Sequence, residues 1–159
     1  MSFKQGSDSW LLAVGPILLR FPLGASFLSA VADRFGLWGF PGALNVVWGD
    51  FATFAAYTGT LNPWAPAALV PLLAWTATAA EIVLGFALLL GVRIRWTATL
   101  SGLLLCMFGL GMTLGTGIKT ALDFSVFSAA AAAFALSVLG PGPWSLDELL
   151  TARNRREGE

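Results

Sequence analysis

Hydrophobic residues fall into four long blocks along this chain, at about 10–32, 65–92, 96–117 and 120–140. A helix needs about 20 apolar residues to cross the hydrocarbon core of a bilayer, and each block meets that length. Lipid offers no hydrogen-bond partners to an open sheet edge, so the blocks are predicted to be helices. The predicted architecture is all-α: an integral membrane four-helix bundle. A soluble helical bundle is the alternative, and the length of the blocks argues against it. The outer loop, 33–64, is polar only in part, since it carries Phe35, Trp38, Phe40, Val46, Val47 and Trp48. Within it, 50–58 reads as a short amphipathic helix with Phe51, Phe54 and Ala55 on one face. Either it lies on the membrane surface or it folds as a cap over the mouth of the bundle.

The segment after the fourth block is different in character. Ser145-Leu146-Asp147-Glu148 is a capping box, and Trp144 and Leu149 are spaced for a hydrophobic staple. The helix it starts carries Leu146, Leu149 and Leu150, then Arg153, Arg155 and Arg156. That pattern resembles an interfacial helix on anionic lipid. The chain therefore divides into a four-span membrane domain, 1–140, and a cytoplasmic amphipathic tail, 141–159.

Composition agrees with this reading. Only 11% of the residues are charged and 57% are hydrophobic, against roughly 25% charged in a soluble domain. Net charge is zero, so no basic face for nucleic acid is expected. With no His, a His-ligated haem and the usual zinc and iron sites are not expected. The single Cys, Cys106, excludes an intrachain disulfide and a dithiol motif, and reads as an inert core residue. The first block resembles a signal peptide at Ala30-Val31-Ala32. Lys4 is offset by Asp8, and the apolar part is long and interrupted by Pro16, Arg20 and Pro22, so it is read as retained.

Basic residues orient the bundle. With four spans, Lys4, Arg93, Arg95, Arg153, Arg155 and Arg156 share one side, and Arg34 and Lys119 share the other. Both termini are accordingly predicted to be cytoplasmic. Trp10, Trp96 and Trp144 then mark the inner interface, and Trp38, Trp48 and Trp64 the outer one.

Arg20 and Glu81 interrupt the first two spans. A mid-membrane charge costs about 2.5–3.5 kcal/mol on insertion scales, so each calls for a partner. Counting from Trp10, Arg20 lies ~15 Å deep, and counting from Val92, Glu81 lies ~16 Å deep. Ala13, Pro16, Arg20 and Gly24 share one face of span one, and Pro71, Ala74, Thr78, Glu81 and Gly85 share one face of span two. An Arg20–Glu81 pair is therefore expected inside the bundle. It serves either to fix helix register or as a polar site for a ligand head group or a proton. Asp33, Arg34, Asp50, Lys119 and Asp123 gather at the outer mouth, either as solvated loop charges or, with Asn45, Trp48 and Tyr57, as a polar pocket. Lys119 and Asp123 are spaced to pair on one helix face. Gly111 and Gly115 form a GxxxG pair suited to close packing within the chain or between copies, which leaves a homo-oligomer open.

Several strings resemble the DoxX/DoxD family: Leu18-Leu19-Arg20, Ala32-Asp33-Arg34-Phe35-Gly36 and, most specific, Glu81-Ile82-Val83-Leu84-Gly85-Phe86-Ala87-Leu88-Leu89-Leu90-Gly91. Asn45-Val46-Val47-Trp48-Gly49, Tyr57-Thr58 with Leu61-Asn62-Pro63, and Asp123-Phe124-Ser125-Val126-Phe127-Ser128 add to it, so that it spans about 10–140. The resemblance implies a small four-helix protein of a bacterial or archaeal cytoplasmic membrane. Some members of that family are thiosulfate:quinone oxidoreductase subunits, so it implies a fold strongly and a reaction weakly. The first functional expectation is a quinone-linked or redox-complex subunit without its own redox centre, using quinone and a redox partner protein, with no haem or metal. The second is a binding or transport protein for a small amphiphile, lipid or anion. The third is a membrane anchor or assembly factor. Any ligand is expected to enter from the outer mouth and reach Arg20, whose guanidinium is a permanent donor to a carbonyl or carboxylate.

Overall fold

The computed structural model describes residues 9–157. Lys4 and Asp8, and the side chains of Trp10, Arg155 and Arg156, lie outside the described residues. The described chain is helical: α1 (Ser9–Arg34), α2 (Phe51–Leu61), a single 3₁₀ turn (Ala67–Leu69), α3 (Val70–Leu90), α4 (Ile94–Thr116), α5 (Ile118–Asp123), α6 (Val126–Leu139) and α7 (Leu146–Glu157). Three stretches are long and apolar enough to cross a membrane: Ala13–Arg34, Ala67–Leu90 and Ile94–Thr116. The expected fourth span is not one helix. It is divided at Phe124 and at Ser125, which takes the left-handed conformation (φ 54°) at the start of α6. A non-glycine residue rarely adopts that conformation, and here it ends one helix and re-aims the next. The chain turns away at the end of α5, so α6 alone is a shorter apolar helix.

α1, α3, α4 and α6 pack in a ring, each against two others, with the most extensive contacts between α4 and α6 and between α1 and α3. Lipid removes the hydrophobic drive for helices to associate, so close fit has to supply it. Small residues provide that fit. A Cβ on Gly24 would stand 2.9 Å from the Gly85 carbonyl oxygen, which brings α1 and α3 into near backbone contact. Gly102 and Gly109 of α4 similarly receive the rings of Phe134 and Phe127. The core between these contacts is apolar, from Leu23 and Phe27 through Leu84, Leu88 and Ile94 to Ala133 and Leu136. Gly115 of the GxxxG pair meets the end of α2 in the same chain, where an added Cβ would stand 2.2 Å from the Thr60 carbonyl oxygen.

The two ends of the ring differ. At one, the loop end, α2 folds onto α3 and α4 with Phe54 and Thr58 buried. Asp50 caps it by accepting the Thr53 N–H at 2.7 Å, and that bond holds the Asp50 carboxyl below the usual carboxylate range. At the other, the tail end, 140–147 folds back beneath the helices. Ser145 is fully buried and its hydroxyl accepts the Glu148 N–H, which is the N-cap half of the capping box. Trp144 and Leu149 are both exposed, so no buried staple forms. Asp147 accepts the N–H groups of Arg93 at 2.7 Å and Ile94 at 2.8 Å, capping α4 from a distant part of the chain.

Candidate functional site

The expected Arg20–Glu81 pair does not form. Glu81 is paired with Arg34, and both side chains are buried. Arg20 is fully buried at the tail end, where it donates to the carbonyl oxygens of Pro141 at 2.9 Å and Trp144 at 3.0 Å. The reason is the register of α1 on α3. Gly24 faces Gly85, and the helices run antiparallel, so Arg20 lies one turn toward the tail end and Glu81 one turn toward the loop end. That separates them by ~12 Å along the axis. Trp10 was the wrong depth marker: Gly142 packs on Pro16, an added Cβ standing 2.6 Å from the Pro16 Cβ, so the tail already crosses α1 at that level. Arg20 is thus a latch for the tail, its Nη1 and Nη2 taken up by the Pro141 and Trp144 carbonyls.

Arg34 instead reaches back along α1. It lies about 9 Å above Glu81 in register, a gap that two long side chains span. Its Nη1 also donates to the Thr78 hydroxyl at 2.9 Å, and that hydroxyl donates to the Ala74 carbonyl. The guanidinium carbon lies 3.6 Å from the centre of the Phe54 ring and 5.2 Å from that of Trp48. Stacking on two aromatic faces offsets part of the cost of burying the cation. Arg34 therefore ties together α1, α2, α3 and the loop. Trp48, expected at the interface, is drawn inward over it, edge-on to Phe54 with ring centres 5.2 Å apart. Tyr57 sits against Trp48, and burial pushes its hydroxyl above the ordinary tyrosine range. A second aromatic layer, Phe35, Phe51 and Trp75, closes the other flank, with Phe51 stacked on Trp75 at 4.2 Å.

Asp33 is buried beside Arg34 and does a different task. Its Oδ2 accepts the N–H groups of Trp48 at 2.8 Å and Val47 at 3.2 Å, which fixes the returning loop. Its Oδ1 is buried and has no hydrogen-bond partner. Asp33 lines a groove of about 590 Å³ that runs along α1 through Pro22, Ala25, Ser26 and Ser29. The loop residues Asn45, Val47 and Trp48 form its upper wall, and Phe124 approaches from the break between α5 and α6. The groove exists because α5 turns onto α4 while α1 continues to Arg34, leaving the upper part of α1 bare on that side. Trp38 completes it, donating from Nε1 to the Ser29 carbonyl at 3.2 Å.

Of the expected outer pocket, the structure therefore brings Asp33, Asn45 and Trp48 into one groove and places Arg34 and Tyr57 behind it. Asp50 is occupied as a helix cap, and Lys119 pairs with Asp123 on an exposed helix face. Pairs of that kind contribute little, because water screens them. Sequence reasoning missed Ser26, Ser29 and Phe124. A signal for the first two was present: Pro22, Ala25, Ser26, Ser29 and Asp33 recur at helical spacing on one face of α1 and are small or polar where lipid-facing residues are ordinarily large and apolar. No family model, curated protein or solved structure matches this chain.

Proposed function

We propose that this is a four-span membrane protein, with its termini in the cytoplasm and its loop end outside, that binds an amphiphile taken from the bilayer in the groove along α1. The fourth crossing is α5 and α6 together. The positions of Lys and Arg support this orientation, since Arg93 and Arg95 are exposed at the tail end, while Arg34 at the loop end is buried and paired. The observation that carries the reading is the lining of the groove. Pro22, Ala25 and Phe124 offer apolar surface, Ser26 and Ser29 offer hydroxyls, and the acid Asp33 stands at the end nearest the loop. A molecule with an apolar tail and a polar head would lie along it with the head at the depth of the interface. Binding in a concave site with a few placed polar groups is the usual arrangement for small ligands.

The redox-subunit reading is retained as a special case. Trp38, Trp48 and Phe124 present aromatic surface at the groove, which suits a flat quinone ring, and electrons would then have to come from a partner protein. The test is native mass spectrometry of gently purified protein, wild type against Ser29→Trp, in which the indole would fill the groove from an exposed position. Wild type should retain a stoichiometric amphiphile, and the variant should lose at least about tenfold of it at an unchanged unfolding temperature. A quinone in the wild-type spectrum selects the redox case. Equal retention by both proteins removes the groove from consideration.

A further inference from the structure

We propose that the tail end of the ring carries a second lipid site, a pocket that holds the phosphate of an anionic phospholipid between Arg93 and Arg95. It is separate from the groove along α1 and does not depend on it. The pocket, about 400 Å³, is lined by Arg93, Arg95, Trp96, Pro141 and Asp147. It lies at the turn between two stretches long and apolar enough to cross a membrane, Ala67–Leu90 and Ile94–Thr116. The shortness of that turn puts the pocket at the depth of the lipid head groups. Trp96 is 73% exposed, as expected of an aromatic ring at the interface. Leu100, one turn further along α4, is exposed as well, so the pocket opens onto the lipid-facing side of the helix.

Charge decides the class of ligand. Arg93 and Arg95 are both exposed, and among the described residues neither guanidinium makes an ion pair or a hydrogen bond. Arg95 leans toward the bend at the end of α6, where a Cβ added at Gly140 would stand 4.0 Å from its Nε. Asp147, the carboxylate of the lining, is committed elsewhere. Its Oδ1 and Oδ2 accept the main-chain N–H groups of Arg93 and Ile94, so its charge is matched to the positive N-terminus of α4. Arg93 also holds a left-handed backbone (φ 44°), which favours glycine. Strain of that kind in a larger residue collects at binding sites. Two unengaged guanidinium forks beside an open pocket suit phosphate oxygens, which arginine meets with two parallel N–H groups. A zwitterionic head brings the same phosphate with a cation that the arginines repel, so the preferred lipid is anionic.

The experiment uses nanodiscs of equal parts phosphatidylglycerol and phosphatidylcholine with identical chains, and the lipid that stays on the protein is read by native mass spectrometry. Phosphatidylglycerol should exceed phosphatidylcholine by about tenfold or more. The same ratio is expected with Ser29→Trp present, which fills the groove along α1. Arg93→Gly combined with Arg95→Gln should remove the preference. Glycine relieves the left-handed backbone and keeps the N–H that Asp147 accepts, so the unfolding temperature should not fall. Arg153→Gln takes an exposed cation from the same end but outside the pocket, and should leave the ratio unchanged. Soluble glycerol phosphate added in large excess to wild type should not displace the retained phosphatidylglycerol. Equal retention of the two lipids by wild type, or a preference that survives the double substitution, would overturn the inference. So would loss of the preference with Ser29→Trp, which would put the lipid in the groove, or an equal loss with Arg153→Gln, which would mark a diffuse field. Displacement by glycerol phosphate would overturn it in favour of a soluble phosphate ester.

Discussion

Replacing Arg34 by Ala will lower the stability of the protein by about 3–5 kcal/mol, the cost expected when one partner of a buried ion pair is removed and the other charge stays behind. The size follows from how many elements meet at this side chain. It pairs with Glu81 on α3, donates to Thr78, and lies against Phe54 of α2 and Trp48 of the loop. Glu81→Gln should cost less, because Arg34 keeps its Thr78 bond and both aromatic faces. The pair of substitutions together should be less damaging than their sum, with a coupling of about 0.5–3 kcal/mol, as expected of residues in contact. Unfolding in detergent followed by circular dichroism gives all the terms. The same cycle run on Arg20 and Glu81 should be additive, because the register holds them a dozen ångströms apart. Coupling there and none at Arg34 would reverse the assignment.

Arg20→Ala should release the tail. The guanidinium is the clasp between α1 and the carbonyls of Pro141 and Trp144, and hydrogen bonds from a charged donor are worth ~1.5–3 kcal/mol each. Gly91 closes the same joint from α3: in its left-handed conformation (φ 74°) an added Cβ would stand 2.5 Å from the Ser145 Cβ and 2.8 Å from Arg20 Nη1. With the clasp gone, Ser145 loses its burial and Asp147 its hold on the start of α4. Limited proteolysis should then cut within 141–153 at least about tenfold faster than in wild type, in step with the population of the opened form. Arg20→Lys should fall between the two, since one ammonium replaces a fork that reaches two carbonyls. A tail equally protected in all three proteins would mean that Asp147 alone secures it.

The long apolar helices were legible because a bilayer demands length and hydrophobicity from each span, and both are properties of composition along the chain. The partner of Glu81 was not, and the reason is a boundary. The first span read as ending at Ala32, which put Arg34 among the loop charges. In fact α1 continues through Arg34, and two more residues turn that side chain inward over α3. Helix ends are where sequence patterns carry least information, and here the end holds the charge. Arg20 was misplaced for a related reason. Its depth was counted from Trp10, whereas the tail folds across Pro16 and supplies partners more than a hundred residues away. Nothing local in 10–32 encodes that contact. The break at Ser125 escaped notice because Phe124-Ser125-Val126 carries neither Gly nor Pro, yet that break is what uncovers α1 and makes the groove. Asp33 stood among the charges expected at the loop end, either solvated or in a polar pocket, and it is buried there. Its division of labour, one oxygen for the loop and one left over, could be seen only once the loop had been brought back over it.

The most direct test of the account maps where lipid sits. Protein in nanodiscs is labelled with a phospholipid carrying a photoreactive diazirine midway along one chain, and cross-linked peptides are sequenced. Saturating cross-links should concentrate on 22–33 of α1 and at Phe124, and Ser29→Trp should remove them while leaving background labelling of the exposed α4 face at Leu103, Met107 and Leu110. Labelling spread evenly over α1 and α4, unchanged by Ser29→Trp, would contradict it.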